Sequence, residues 1–153
     1  MDLEQAYDKI YRYAYFKLHD QTAAEDITQE TFLRYLSSGN HRGGFEMAYL
    51  YTITRNLCID EFRKVKWEPI PESSEGKLAY DPTESMMETI AVREALSKLD
   101  EADREILLLR FANEESVGTI SKLYHCSRFA VYRQIKKAKY ELKRQLGGEE
   151  YES

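Results

Sequence analysis

SVGTISKLYHCSRFAVYRQIKKAKYELKRQL, residues 116–146, is the stretch on which the fold turns. Val117, Ile120 and Leu123 recur at helical spacing. A four-residue corner, Tyr124-His125-Cys126-Ser127, then separates them from a second amphipathic run. In that run Val131, Ile135, Ala138 and Leu142 fall within about 60° of one another at about 100° per residue. Phe129, Arg133, Lys136 and Tyr140 lie opposite, with Lys137 and Arg144 beside them. Ser127 is well placed to cap the second helix. Residues 127–146 set seven cations (Arg128, Arg133, Lys136, Lys137, Lys139, Lys143 and Arg144) against Glu141 alone, a net +6. A helix, a short turn and a capped basic helix make the helix-turn-helix pattern, whose second helix enters the major groove N-terminus first. A solvated charged face is the plainer alternative. The nearly uniform sign, the short corner and the cap favour DNA.

That basic helix stands out against an acidic chain. The 153 residues carry a net charge of −5, with 42% hydrophobic and 32% charged residues. Taken whole, −5 argues against a nucleic-acid binder; divided, it does not. Residues 1–65 carry −2, residues 66–83 another −2, residues 84–115 carry −5, and the last seven residues −3. The apolar fraction suffices for packed cores. No stretch approaches the roughly 20 apolar residues of a membrane span. The opening MDLEQAYDKI is acidic and mixed rather than basic and then apolar, so a cytoplasmic protein without direct membrane insertion is expected. Cys58 and Cys126 stand 68 positions apart, and His19, His41 and His125 are scattered, so no metal or other cofactor is expected. No nucleophilic triad or phosphate loop is present, and the chain is not expected to be an enzyme.

The rest of the chain reads as helix. Leu3, Tyr7, Ile10, Tyr11, Ala14 and Leu18 form one stripe. Thr22 with Glu25 resembles a capping box opening a second helix, whose stripe runs Ala23, Ile27, Phe32, Leu33 and Leu36. A breaker at residues 37–44 precedes a third helix over residues 46–64, with Leu50, Ile53, Leu57 and Phe62 apolar. The pattern fails over residues 66–83, which hold all three prolines. A second lobe follows over residues 84–148, with Val92, Leu96 and Leu99 on its first helix. Asp100 or Asp103 caps the next helix, and Ile106-Leu107-Leu108-Leu109 is its buried run. Residues 149–153 form an acidic tail. The expectation is an all-α protein of two helical domains, 1–65 and 84–148, joined by a flexible linker.

Three segments carry a family resemblance. Residues 96–146, LSKLDEADREILLLRFANEESVGTISKLYHCSRFAVYRQIKKAKYELKRQL, resemble the fourth conserved region of bacterial sigma factors. AEDITQETFLRYL, residues 24–36, is similar to the core-polymerase-binding part of the second region, and YLYTITRNLCIDEFRK, residues 49–64, to its promoter-melting part. The order and spacing are those of the extracytoplasmic-function (ECF) sigma factors. The resemblance implies that Asp26, Gln29, Glu30, Phe32 and Arg34 dock on the clamp coiled coil of core RNA polymerase. For Phe32 itself, core packing is an equal alternative.

Further along, the resemblance implies that Tyr49, Arg55, Asn56, Asp60, Arg63 and Lys64 hold the minus-ten strand, beside a base pocket in residues 38–45. Tyr49 stands where the family usually has Trp; an Arg63–Asp60 surface pair is the alternative use of those two charges. The implied minus-thirty-five readers are Arg128, Phe129, Tyr132, Arg133, Lys136 and Lys137. Arg133 suits bidentate contact with guanine, and the lysines suit phosphates. Here the chain departs from the family pattern: His125 replaces the usual turn Gly, Ser121 stands at a small-residue position, Ala130 replaces Thr, and Phe129 replaces a small residue. The implied partners are core RNA polymerase, promoter DNA and an anti-sigma factor. A helix-turn-helix regulator working without polymerase is the main rival; it would not need the motif at residues 24–36.

Overall fold

A computed structural model of the chain describes residues 2–39, 46–66 and 90–147. The chain divides into two compact units, Met1–Pro82 and Thr83–Ser153. The described residues form seven α-helices and no strand, in keeping with the expected all-α class. The base-pocket loop over residues 40–45, the linker beyond residue 66 and the acidic tail lie outside the described residues.

The first unit packs three helices against one another: α1 (Leu3–Leu18), α2 (Gln21–Ser37) and α3 (Met47–Lys66). Asp2 opens α1 by accepting the Gln5 N–H at 2.9 Å. Asp20, not Thr22, caps α2, its carboxylate accepting the Ala23 N–H at 3.1 Å. Thr22 sits inside the first turn. An ionised carboxylate beside the exposed amides at a helix N-terminus outcompetes a hydroxyl for that place.

The core of this unit is partly aromatic and partly hydroxyl-lined. Tyr13 and Tyr51 meet edge to face at 5.1 Å, both fully buried. The buried stripe of α2 is Ala24, Ile27, Thr28, Thr31, Phe32 and Tyr35. The threonine hydroxyls are satisfied within the bundle: Thr28 donates to the Ala24 carbonyl at 2.7 Å, and Thr31 and Thr54 share a hydrogen bond of 3.0 Å. Because these threonines occupy the inward face, Leu33 and Leu36 are turned out of it, at 62% and 50% exposure. Their expected place in the core is therefore incorrect. Phe62 is exposed as well.

In the second unit, α7 (Arg128–Gln145) is the central element. It packs against α4 (Ile90–Ser97), α5 (Glu101–Leu107) and α6 (Val117–Tyr124). Asp100 occupies the N-cap position of α5 without a side-chain cap bond, and Asp103 is buried one turn further on. The helix then widens into a π-helical turn, Leu108–Ala112. This turn is closed by the Asn113 N–H donating to the Leu108 carbonyl at 2.9 Å. The whole run Ile106-Leu107-Leu108-Leu109 is buried, as expected. Each fully buried Ile or Leu contributes about 1.5–3 kcal/mol. Tyr124 donates to the Glu105 carboxylate at 2.9 Å, tying the end of α6 to α5.

Candidate functional site

The capped corner anticipated at residues 124–127 is present. Ser116 caps α6 by accepting the Thr119 N–H at 3.0 Å, and Ser127 caps α7 by accepting the Ala130 N–H at 3.0 Å. Between them His125 takes a left-handed conformation, φ 57°, which favours glycine over a side chain bearing Cβ. The Ser121 hydroxyl donates to the Cys126 carbonyl at 2.6 Å and so braces the same turn. On α7, Val131, Ile135 and Ala138 point into the core. Arg128, Arg133 and Lys136 are exposed, as are Phe129 at 78% and Tyr132 at 59%. Arg128 lies across α6: a Cβ built on Gly118 would stand 3.1 Å from its guanidinium.

Lys137 is placed differently from the other candidates on α7. Its Nζ donates to Asp103 Oδ2 at 2.8 Å, and the Asp103 side chain is only 3% exposed. That hydrogen bond raises the Lys137 pKa above the ordinary lysine value. Lys137 thus joins α7 to α5 while still half facing solvent.

On α2, Asp26 and Gln29 are exposed, and Arg34 Nε donates to Glu30 Oε2 at 2.9 Å. Phe32 is not on this surface. It is 6% exposed and its ring stacks on Tyr7 with centroids 5.7 Å apart, because it falls on the inward face with Ala24 and Thr28. Phe32 thus takes its core alternative, and the large apolar side chains exposed on the outer side of α2 are Leu33 and Leu36. With Glu30, Arg34, Ser37 and Ser38, Leu33 lines a shallow hollow on the outer side of α2. These leucines were missed because apolar spacing alone does not reveal that threonines hold the inward stripe.

On α3, Tyr49, Asn56 and Arg63 fall seven residues apart, on a line about 20 Å long at about 1.5 Å per residue. All three are exposed, as are Asp60 and Lys64, while Arg55 is half-buried. Arg63 and Asp60 approach to 3.9 Å with both side chains largely in solvent, so they hold each other weakly. Tyr49 is positioned by Tyr35, whose buried ring lies 5.5 Å away. The Tyr35 hydroxyl also accepts the Glu46 N–H at 2.9 Å and so fixes the start of α3.

Among the described residues no group of three or more His, Cys, Asp or Glu is placed to hold a metal ion. Cys58 is buried, which pushes its thiol up to about 12, whereas Cys126 is exposed. Among the same residues no helix is long and apolar enough to cross a membrane.

The chain divides into two helical units, the second of which carries a helix-turn-helix. The sigma-70 region 2 family matches residues 3–68, and the sigma-70 region 4 family matches residues 89–142. The chain is 30% identical over 130 residues to the ECF sigma factor BldN of Streptomyces coelicolor, covering 78% of this chain and 49% of that one. It is 29% identical over 152 residues to the sigma factor YlaC of Bacillus subtilis, covering 93% and 88%. The chain thus spans about half of BldN and most of YlaC. Its fold is similar to that of the sigma factor RpoE, crystallised with the anti-sigma factor NepR from Bartonella quintana. That match has a TM-score of 0.66 at 20% identity and covers 96% of this chain and 95% of that one. The chain belongs to the ECF family of RNA polymerase sigma factors, which are not enzymes.

Proposed function

We propose that this chain binds core RNA polymerase, directs it to a two-part promoter and helps open the DNA. The observation that carries the reading is the outward face of α7, where Arg128, Arg133 and Lys136 stand exposed on a helix whose start is fixed by the Ser127 cap. In this reading Arg133 takes a guanine edge and Lys136 a phosphate. Arg128, Phe129 and Tyr132 flank them, and Lys137 adds positive charge from its anchored position. The α3 line of Tyr49, Asn56 and Arg63, with Arg55, Asp60 and Lys64 around it, receives the separated minus-ten strand. Cations take its phosphates, and aromatic and amide groups take its bases. Asp26, Gln29, Glu30 and Arg34 contact the polymerase clamp, with Leu33 and Leu36 as the apolar component.

Residues 1–65 and 84–148 act as separate domains, each engaging one promoter element. The protein performs no covalent chemistry, works in the cytoplasm and is held in check by an anti-sigma factor. Run-off transcription tests the core of this. The chain plus core polymerase should yield discrete transcripts from a genomic library, with start sites preceded by a shared two-part element. Promoter binding by the chain without any affinity for core polymerase would replace this reading with that of a plain helix-turn-helix regulator.

A further inference from the structure

Phe129 is the most exposed large apolar side chain among the described residues. It is the second residue of α7, in the turn whose backbone is held by Ser127, so the ring is projected from a fixed base. At about 100° per residue, Phe129, Tyr132, Arg133 and Lys136 share an arc of about 100°. Two large aromatic rings thus stand in water among exposed cations. The cations select a polyanion. A polyanion that also offers apolar contact in a groove wide enough for a helix is a DNA duplex carrying thymine, whose C5-methyl projects into the major groove. Double-stranded RNA offers neither the methyl nor a readable major groove.

We propose that Phe129, supported by Tyr132, reads a thymine methyl in the upstream promoter element. This rests on the promoter reading above and adds a base preference to it. Phe129 and Arg133 are four residues apart, about 6 Å along the helix axis, or roughly two base pairs. The thymine therefore lies within about two base pairs of the guanine taken by Arg133, on either strand.

Selection from a randomised duplex library, with the full chain bound to core polymerase, supplies the element. Each thymidine in it is then replaced singly by deoxyuridine, which removes only the methyl. One replacement near the guanine should weaken binding about fourfold, the worth of one buried methyl. Phe129→Ala should weaken the thymidine duplex about tenfold and make thymidine and deoxyuridine equivalent. Arg133→Ala should weaken both duplexes and leave their ratio unchanged. Phe129 is exposed, so its loss leaves the helix packing intact, which circular dichroism verifies. An element with no thymine near its guanine, or one read equally well with deoxyuridine, would overturn the inference alone and leave the aromatic pair to a protein partner. Failure to enrich any sequence would overturn the promoter reading and this inference with it.

Discussion

Helices α2 and α7 each bury residues at spacings of three and four, but they turn different chemistry outward. The outer side of α2 mixes Asp26, Gln29 and the Glu30–Arg34 pair with two exposed leucines. That of α7 is cationic and aromatic, with Arg128, Phe129, Tyr132, Arg133 and Lys136. A surface of apolar centre and mixed polar rim suits a protein partner. A surface of one sign suits phosphate. On the proposed reading, the same amphipathic plan serves two kinds of partner, and the outward residues decide which.

The largest expected effect lies on α2. Leu33→Asp with Leu36→Asp should reduce affinity for core polymerase by about 100-fold or more, since buried apolar anchors dominate such interfaces. The fold should survive, because both side chains are already exposed. Undiminished polymerase binding in a pull-down would move the protein interface off α2. Next, Arg133→Ala should cost roughly 1–3 kcal/mol in promoter binding and relax preference at one base pair. Competition among promoter variants measures it, and unchanged discrimination would remove Arg133 from the reading face.

Two neighbouring lysines sharpen the contrast within α7 itself. Lys136→Ala should lower the salt dependence of DNA binding by about one phosphate contact, with little change in melting temperature. Lys137→Ala should instead lower the melting temperature, because Asp103 is left buried without its partner. The raised Lys137 pKa fixes the pH sense. The stabilisation is complete below the ordinary lysine pKa and fades only as pH rises through the raised value, so it is constant across the neutral range. Smallest of these, His125→Gly should raise stability by about 1 kcal/mol by relieving the left-handed turn, which is a few degrees in thermal melting.

Much of this was legible in the sequence where one local rule acts alone. Ser127 caps the helix it was expected to cap, and the buried run Ile106–Leu109 and the inward residues of α7 follow from apolar period. The misplacements have a common cause. Thr28, Thr31 and Thr54 are fully buried because their hydroxyls find partners inside the bundle, and a count of apolar residues does not register them. Leu33 and Leu36 were consequently assigned to the wrong face of α2, whereas Phe32 takes the core place that was one of its two expected uses. The Lys137–Asp103 bond joins residues 34 apart, and only the packing of α7 on α5 brings them together. For the same reason Lys137 looked equivalent to Lys136 in the sequence.

The bond between Tyr35 and the Glu46 N–H ties the second helix to the start of the third. Tyr35 is a core residue of α2, and Glu46 immediately precedes α3, so the two ends of the intervening segment are pinned by the bundle itself. The start of the third helix therefore depends on one hydroxyl of a core residue eleven positions back, and a change at Tyr35 reaches two helices at once.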